Sequence, residues 1–273
     1  MMDFALGRYY PGTSPVHRMD PRFKFVISIA LMVGLFFLTK ALAFGLYAAF
    51  VISLLIITRI PLKQIYLSLK PILFIIAFAF VINLFSYGGE PIFTVWKLTL
   101  TFDGLYAGLR MAARLSLLII TSTIFLTLTT TPLNISDAME DLMKPLQKIG
   151  FPAHEISMMM SIALRFVPNL IEETDKIMKA QVSRGANYDT GGIFARARGL
   201  VSILVPLFVS SFRRAEELAL AMEARCYNGA KGRTKLNQMK SERLDYVMLL
   251  ISCLILALVL FVEFSPIFLV NKV

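Results

Sequence analysis

Two arginines flanked by small residues stand at the ends of two long predicted helices, in the basic stretch before the last apolar run. The motifs are Ser183-Arg184-Gly185 and Ala224-Arg225-Cys226. A guanidinium is planar, weakly hydrated and able to bind a carboxylate through two parallel hydrogen bonds, and small neighbours would let it enter a groove. The helix dipole also favours a cation at a helix C-terminus, without any partner. Because the motif occurs twice on adjacent basic helices, we favour paired docking to carboxylates of other proteins.

Residue patterns for catalysis are missing from the sequence. It has no HExxH motif, no nucleophile elbow and no G-x-x-x-x-G-K-[ST] loop that could cradle ATP phosphates. The two histidines, His17 and His154, stand apart from other metal ligands, so no metal site is predicted. The sequence therefore predicts a non-catalytic protein without a cofactor.

The composition indicates that the arginines are carried by a membrane protein. Of the 273 residues, 57% are hydrophobic and 17% are charged, and the mean hydropathy is +0.69; soluble domains are typically about one-quarter charged. Lys40 alone separates the first two apolar runs, which predicts a tight helical hairpin rather than one long helix with a lysine at mid-bilayer. A bilayer core takes about 20 helical residues, and the predicted spans are Phe25–Thr39, Ala41–Thr58, Pro71–Ser86, Leu115–Ser136 and Tyr246–Val262.

The distribution of charge predicts the orientation. With a cytoplasmic N-terminus, 23 of the 28 lysines and arginines fall on the inner side, as the positive-inside rule requires. The outer ones are Lys40, Lys97, Arg110, Arg114 and Lys272. This bias explains the net charge of +10 without nucleic acid. The first 22 residues carry charges and prolines before any apolar run, so no cleavable signal is expected, and a multi-pass protein of a bacterial-type cytoplasmic membrane is predicted.

Residues 131–243 form a long basic stretch that is rich in helix formers. We expect three amphipathic helices at the cytoplasmic membrane surface: Asp137–Ile149, Ala153–Ser183 and Phe194–Cys226. The last two share a pattern of an apolar half, a proline, an amphipathic half and a terminal arginine. Within the third helix, Gly199–Phe212 is free of charge but too short to span a bilayer. The predicted fold is an all-α polytopic membrane protein with about five transmembrane helices, divided at 1–130, 131–243 and 244–273.

These features together resemble the transmembrane coupling component of energy-coupling-factor importers (EcfT, CbiQ-like) over nearly the whole chain. Met19-Asp20-Pro21-Arg22-Phe23-Lys24 is similar to that family's N-terminal signature, and the arginine motifs are similar to its paired Ala-Arg-Gly motifs, with departures at Ser183 and Cys226. The resemblance implies that two ATPase subunits each receive one arginine-tipped helix in a groove. It also implies that the long helices cross and carry a small membrane protein that binds a vitamin or another micronutrient.

The resemblance further implies a surface for that substrate-binding protein. Methionine packs flexibly, so Met158, Met159 and Met160 would suit a sliding surface, while an ordinary helix core explains such a run equally well. Pro168 and Pro206, which interrupt the two long helices, are assigned to the same surface.

Two other transporter classes stay open. A self-contained secondary transporter would keep ionisable or broken-helix sites at mid-bilayer, whereas the predicted spans are almost free of ionisable residues. An ordinary ABC permease would need no separate substrate-binding membrane partner. Gly104-x-x-x-Gly108 fits either a close helix contact or a simple loop.

Overall fold

A computed structural model of the chain describes residues 9–86, 91–95, 98–186, 192–229 and 241–265. The predicted outer residues Lys97 and Lys272 and the first eight residues lie outside these ranges. The chain forms two compact units, one made of Met1–Ala138 and Gln238–Val273 and the other of Met139–Asn237. The predicted boundaries at residues 130 and 243 stay a prediction.

The all-α fold class is confirmed, with one short β-hairpin that the sequence patterns did not indicate. The hairpin pairs β1, Pro91–Val95, with β2, Leu98–Thr101, in antiparallel register. The helices of the first unit are α1 Pro15–Arg18, α2 Pro21–Phe36, α3 Ala41–Thr58, α4 Leu62–Leu69, α5 Leu73–Ser86, α6 Phe102–Ser122, which continues as a π-helix over Thr123–Leu128, and α10 Arg243–Phe264. Helix α7, Pro132–Met143, runs from the first unit into the second. The second unit continues with a 3-10 stretch, Lys144–Ile149, and the long helices α8 Ala153–Ser183 and α9 Ile193–Ala224.

Three of the described helices are long and apolar enough to cross a membrane: α3, α6 with its π-helical end, and α10. Helices α4 and α5 meet at a bend of 62° and make a fourth candidate if they form one span. Pro71 lies in this bend, and proline cannot donate the backbone hydrogen bond that a straight helix needs there. Helix α2, with 16 residues, falls just short of spanning length. The protein is a membrane protein, and the count of five spans stays a prediction.

The structure divides the chain differently at two predicted elements, the fourth span and the short helix after it. The fourth predicted span, Leu115–Ser136, joined the end of one helix to the start of the next. Helix α6 starts at Phe102, and Pro132 opens α7 after the π-helix ends at Leu128. The predicted short helix Asp137–Ile149 is therefore the end of α7 followed by the 3-10 stretch, and Ser136 lies inside α7 rather than capping it. The prediction used only the absence of charged residues, and so it missed the helix boundary at Pro132.

The core of the first unit lies among α2, α3, α6 and α10. Leu31, Leu35, Tyr47, Phe125 and Val259 are among its fully buried side chains. The Tyr47 hydroxyl lies 3.1 Å from the Thr121 hydroxyl, so the polar end of this buried ring is satisfied within the core.

The predicted hairpin at Lys40 is confirmed. Helix α2 ends at Phe36, and Lys40 is the N-cap of α3. The Lys40 ammonium donates hydrogen bonds to the carbonyls of Val262, at 3.2 Å, and Ser265, at 2.9 Å, while the Glu263 carboxylate accepts from the Lys40 backbone N–H at 3.0 Å. The turn between the two helices is thereby fastened to the end of α10.

Arg110 and Arg114 hold the same turn from the other side. They lie well inside α6 rather than before it. Arg110 Nη1 donates to the Thr39 carbonyl at 3.4 Å, Arg114 Nη2 donates to the Leu38 carbonyl, and the Arg114 guanidinium lies 5.7 Å from the centre of the Phe44 ring. Carbonyl partners and an aromatic face let the helix carry both cations.

Gly104 and Gly108 form a close helix contact, so the loop alternative is wrong. Both lie in α6 and face α5. A Cβ on Gly104 would lie 2.5 Å from the Leu84 carbonyl oxygen, and one on Gly108 would lie 3.1 Å from the Phe80 carbonyl oxygen. The backbones can approach this closely because neither residue has a side chain.

We expect Gly104→Ala to destabilise the first unit by about 1–3 kcal/mol, because the new methyl group meets a backbone carbonyl that cannot rotate away. Thermal unfolding of the purified protein in detergent measures this. Gly45→Ala in α3 is the matched control, since nothing lies within 4 Å of its Cβ position, and it should leave the unfolding temperature unchanged or raise it. Equal losses in both variants would show that helix contact is not the reason.

Candidate functional site

Arg184 is the residue that closes α8. It is the C-cap, and Gly185, which follows, has a φ of +84°. The Gly185 N–H donates to the Val182 carbonyl at 2.9 Å, and the Ala186 N–H donates to the Gln181 carbonyl at 2.9 Å. These two bonds define a Schellman motif, which satisfies the last helix carbonyls and turns the chain away.

Arg225 closes α9 in the same way. It is the C-cap, and Cys226 has a φ of +56°. The Cys226 N–H donates to the Glu223 carbonyl at 2.9 Å, and the Tyr227 N–H donates to the Met222 carbonyl at 3.0 Å. The two predicted motifs are therefore two copies of one backbone structure, with arginine at the same position in each.

The third residue of each motif has a backbone reason to be small. Gly185 and Cys226 both adopt the left-handed conformation, which costs a residue with a Cβ about 1–2 kcal/mol and glycine almost nothing. Glycine is thus the low-cost residue at this position, and Cys226 is a strained replacement for it. That small neighbours let each guanidinium enter a groove stays a prediction for Ser183, Gly185, Ala224 and Cys226.

Both arginine side chains are exposed. Within the described ranges of the chain, neither guanidinium forms an ion pair with a carboxylate. Among the residues that the structure describes, no side chain occupies the N–H donors of either guanidinium, so they can bind an acceptor on another molecule. Each also sits at the negative end of its own helix dipole, which favours the cation where it stands.

We expect Cys226→Gly to stabilise the last turn of α9, and Gly185→Ala to weaken that of α8, each by about 1 kcal/mol. Nothing lies within 4 Å of the Gly185 Cβ position, so the effect comes from backbone conformation alone. Amide hydrogen exchange of the last helical turn measures it. Gly192→Ala, a control at an open position with a φ of −70°, should not change exchange at the end of α8. Faster exchange in Cys226→Gly would contradict the backbone explanation.

An apolar surface on α9 is the second feature of the site. Half of the fourteen residues in the charge-free section Gly199–Phe212 are exposed, and Phe208 and Phe212 are each 62% exposed with ring centres 5.7 Å apart. A groove of about 390 Å³ runs between the helices, with Leu170 of α8 facing Leu204, Leu207, Phe208, Ser211, Phe212 and Ala215 of α9. So much exposed apolar surface calls for lipid or another protein to cover it.

The residues assigned to the substrate-binding partner are partly accessible. Met159 and Met160 are exposed, Met158 is half-buried, and Ser157 beside them is buried. Pro168 is exposed and Pro206 is half-buried. Helices α8 and α9 continue through these prolines. The role of all five residues stays a prediction, and the exposed aromatic residues of α9 add to them.

The two histidines have different partners. His154 Nδ1 lies 3.0 Å from the buried Glu140 carboxylate in the second unit. In the first unit, His17 Nδ1 lies 2.7 Å from the Ser14 hydroxyl and Nε2 lies 3.0 Å from the Tyr10 carbonyl oxygen. Burial lowers the pKa of His17, which favours a neutral ring held by local hydrogen bonds.

Known proteins are similar to this chain over most of its length. A protein-family model described as CbiQ, cobalt transport protein, matches residues 12–236. A relative from Thermosediminibacter oceani, named energy-coupling factor transporter transmembrane protein EcfT, is 47% identical over 245 residues, which cover 90% of this chain and 92% of the relative. A relative of the same name from Bacillus subtilis is 45% identical over 264 residues, which cover 96% and 98%. The chain belongs to the CbiQ/EcfT family.

Membership of the CbiQ/EcfT family makes the chain a transmembrane component of an energy-coupling factor transporter. The resemblance expected from Met19–Lys24 and from the arginine motifs is confirmed at the level of the family. The candidate spans of this chain agree with a membrane location.

The N-terminal signature Met19–Lys24 of this CbiQ/EcfT family member forms the start of α2, which is capped by Asp20 and holds a buried lysine. The Asp20 carboxylate caps α2 by accepting from the Arg22 N–H at 2.9 Å, and Pro21 takes the first helical position. Lys24 is 1% exposed, and its ammonium donates to the carbonyls of Thr129, at 2.8 Å, and His17, at 3.2 Å. Burial lowers the pKa of Lys24, which precedes the predicted first span, to about 8, while the carboxylates of Asp245 and Asp20 oppose the shift.

Asp245 completes this cluster in the same unit. Its buried carboxylate accepts from the backbone N–H of Asp20 and from that of Glu242, each at 2.7 Å. The start of α10 is thereby fixed to the start of α2. The sequence patterns did not indicate this role of Asp245, because its partner Asp20 lies 225 residues away.

Proposed function

We propose that this chain couples two ATPase subunits to a separate membrane protein that binds the substrate, and that it performs no chemistry itself. The observation that carries the proposal is the matched pair of helix ends at Arg184 and Arg225. Both arginines cap their helices in the same backbone motif, both are exposed, and neither is paired with a carboxylate in the described ranges.

The chemistry of the pair suits docking to proteins. A helix whose last turn is closed by a Schellman motif ends sharply, so its final side chain can enter a groove without further chain alongside. Arginine binds a carboxylate with fixed geometry, and this geometry specifies orientation as well as affinity. Two equivalent tips match two copies of one kind of partner. Each tip, with its neighbours Ser183 and Gly185 or Ala224 and Cys226, would occupy an acidic groove on one ATPase subunit.

The apolar surface of α9 suits a different partner. Phe208, Phe212 and the groove beside Leu170 offer aromatic and aliphatic contact area with almost no polar atoms, the composition expected for contact with another membrane protein. Met158–Met160, Pro168 and Pro206 would extend this surface. Closure of the ATPases on ATP would move the arginine tips, and the helices would pass this movement to the substrate-binding partner.

The orientation follows from the same arrangement. ATPase subunits that use cellular ATP lie in the cytoplasm, so both arginine tips must lie there. The N-terminus is then also cytoplasmic, in agreement with the excess of Lys and Arg on that side. The location proposed is the cytoplasmic membrane of the cell, and the substrate is a vitamin or another micronutrient held by the partner.

Purification of the tagged full chain from its membrane tests the proposal. We expect two ATPase subunits and a small integral membrane protein to be recovered with it, and uptake in vesicles that contain the complex to require ATP. Recovery of the chain alone, with uptake driven by an ion gradient, would favour a self-contained transporter instead.

A further inference from the structure

A single carboxylate on α8 joins α9 at two points. Arg214 Nη2 lies 2.5 Å from Glu173 Oε2, and the Ser210 hydroxyl donates a hydrogen bond to Glu173 Oε1. Ser210 and Arg214 are four residues apart, so they project from one face of α9. The Glu173 side chain is 18% exposed and that of Arg214 is 37% exposed, so the carboxylate is the better shielded member of this ion pair. We call Glu173, Ser210 and Arg214 the crossing tie.

The crossing tie lies at the same distance from both arginine tips. Eleven residues separate Glu173 from Arg184, and eleven separate Arg214 from Arg225. An α-helix rises 1.5 Å and turns 100° per residue, so each tip lies about 16 Å and three turns beyond the tie, on nearly the same face of its helix. The two helix segments between the crossing tie and the tips, which we call the arms, are therefore equal in length.

The crossing tie restrains the angle between the helices in a way that the apolar contacts around it do not. Leu170, Leu207 and Ala215 line the groove between the helices, and such contacts are tolerant of sliding and rotation. The Glu173 carboxylate pairs with a guanidinium through one oxygen and accepts a hydroxyl hydrogen bond on the other, so two contacts restrain its position between the helices. A change of about 10° in the crossing angle would change the separation of the two tips by about 2–3 Å, given arms of this length.

Adjacent residues of the same type do not reach the crossing. Glu172 and Arg213 are exposed, and in the described part of the chain neither takes part in an ion pair. The rotation of each helix about its axis therefore decides which charged residues meet between the helices. The exposed neighbours Glu172 and Arg213 serve as matched controls.

We propose that the crossing tie fixes the separation of Arg184 and Arg225, so that movement of one ATPase subunit is passed to the other tip and to the substrate-binding partner on the apolar surface of α9. Glu173, Ser210 and Arg214 are positioning residues in this proposal, which rests on the proposed function for its consequence in transport. Its structural part, a fixed separation of the tips, can be measured without that function.

Spin labels on the full chain test the separation. In a Cys226→Ser, Cys253→Ser background, labels at Lys179→Cys and Leu220→Cys lie on exposed positions five residues before each tip. Pulsed electron paramagnetic resonance should give a narrow distance distribution. Glu173→Gln and Arg214→Ala should each broaden it by several ångström, while Glu172→Gln and Arg213→Ala should not. The exchange Glu173→Arg with Arg214→Glu should narrow it again.

Uptake by the assembled transporter tests the consequence. Glu173→Gln should lower uptake several-fold while both ATPase subunits are still recovered with the complex, and the charge exchange should restore uptake. A distribution that stays narrow in Glu173→Gln and Arg214→Ala would overturn the proposal. A broadened distribution with full uptake would also overturn the proposal, because a fixed separation of the tips would then not be needed for coupling. Failure of the proposed function would look different, because the Arg184→Ala, Arg225→Ala double variant would then transport normally whatever the tip separation.

Discussion

The double substitution Arg184→Ala, Arg225→Ala is expected to abolish recovery of the ATPase subunits with this chain and to reduce ATP-driven uptake to background. Loss of one partner of a buried, hydrogen-bonded charge pair costs about 2–5 kcal/mol, a reduction in affinity of about thirtyfold or more for each arginine. Each single variant should retain partial recovery, because one docked tip remains. Recovery of each subunit on the tagged chain and uptake in proteoliposomes measure the effect.

Arg165→Ala with Arg213→Ala is the control for this experiment. It removes the same total charge from the same two helices, at exposed positions away from the tips. Recovery should stay near the unsubstituted level. The conservative double variant Arg184→Lys, Arg225→Lys should fall between the two, because lysine keeps the charge but loses the planar fork. Normal uptake and normal recovery of ATPase subunits in the alanine double variant would remove the basis of the proposed function.

The ends of the two long helices could be predicted from local sequence. Helix α8 has the predicted bounds, Ala153–Ser183, and α9 begins and ends within two residues of its prediction. Helix ends depend on residues close in sequence, such as glycine at a left-handed position. The same local character explains why both arginine motifs could be found. It did not predict that Cys226 shares the backbone conformation of Gly185, since cysteine rarely adopts it.

The start of α6 shows where local patterns do not suffice. A rule based on charge-free stretches excludes Arg110 and Arg114 from a span, yet both lie within the helix. Their donors reach carbonyls of the turn between α2 and α3, about 70 residues earlier in the chain. Whether a cation is tolerated in an apolar element depends on such distant acceptors, and composition does not reveal them.

The crossing tie could not be predicted for a similar reason. Glu173 stands beside Glu172, and Arg214 beside Arg213, and nothing local distinguishes the member of each pair that faces the other helix. The choice depends on how α8 and α9 are rotated when they pack. Helix packing is determined by the apolar side chains at the contact, here around Leu170 and Leu207. Only the folded arrangement reveals which charges meet.

The second large effect is expected on the opposite kind of partner. Phe208→Ala combined with Phe212→Ala should remove the small substrate-binding membrane protein from the purified complex while the ATPase subunits remain. Both rings are 62% exposed, pack against each other and line the apolar groove of α9. Aromatic residues that act as interface hot spots cost at least about 2 kcal/mol when truncated, so a loss in affinity of about thirtyfold or more is expected. Quantitative recovery on the tagged chain measures it.

Phe194→Ala provides a matched control, because Phe194 is a 92% exposed phenylalanine of α9 that lies outside the groove. It should leave all partners in place. The two double variants then separate the two surfaces: alanine at the arginine tips loses the ATPases, and alanine at the aromatic pair loses the membrane partner. Parallel loss of every partner in the aromatic variant would indicate that α9 had unfolded, and amide hydrogen exchange of α9 would show it. Unchanged recovery of the membrane protein with α9 intact would mean that lipid alone covers this surface, and the partner would then have to be carried elsewhere on the chain.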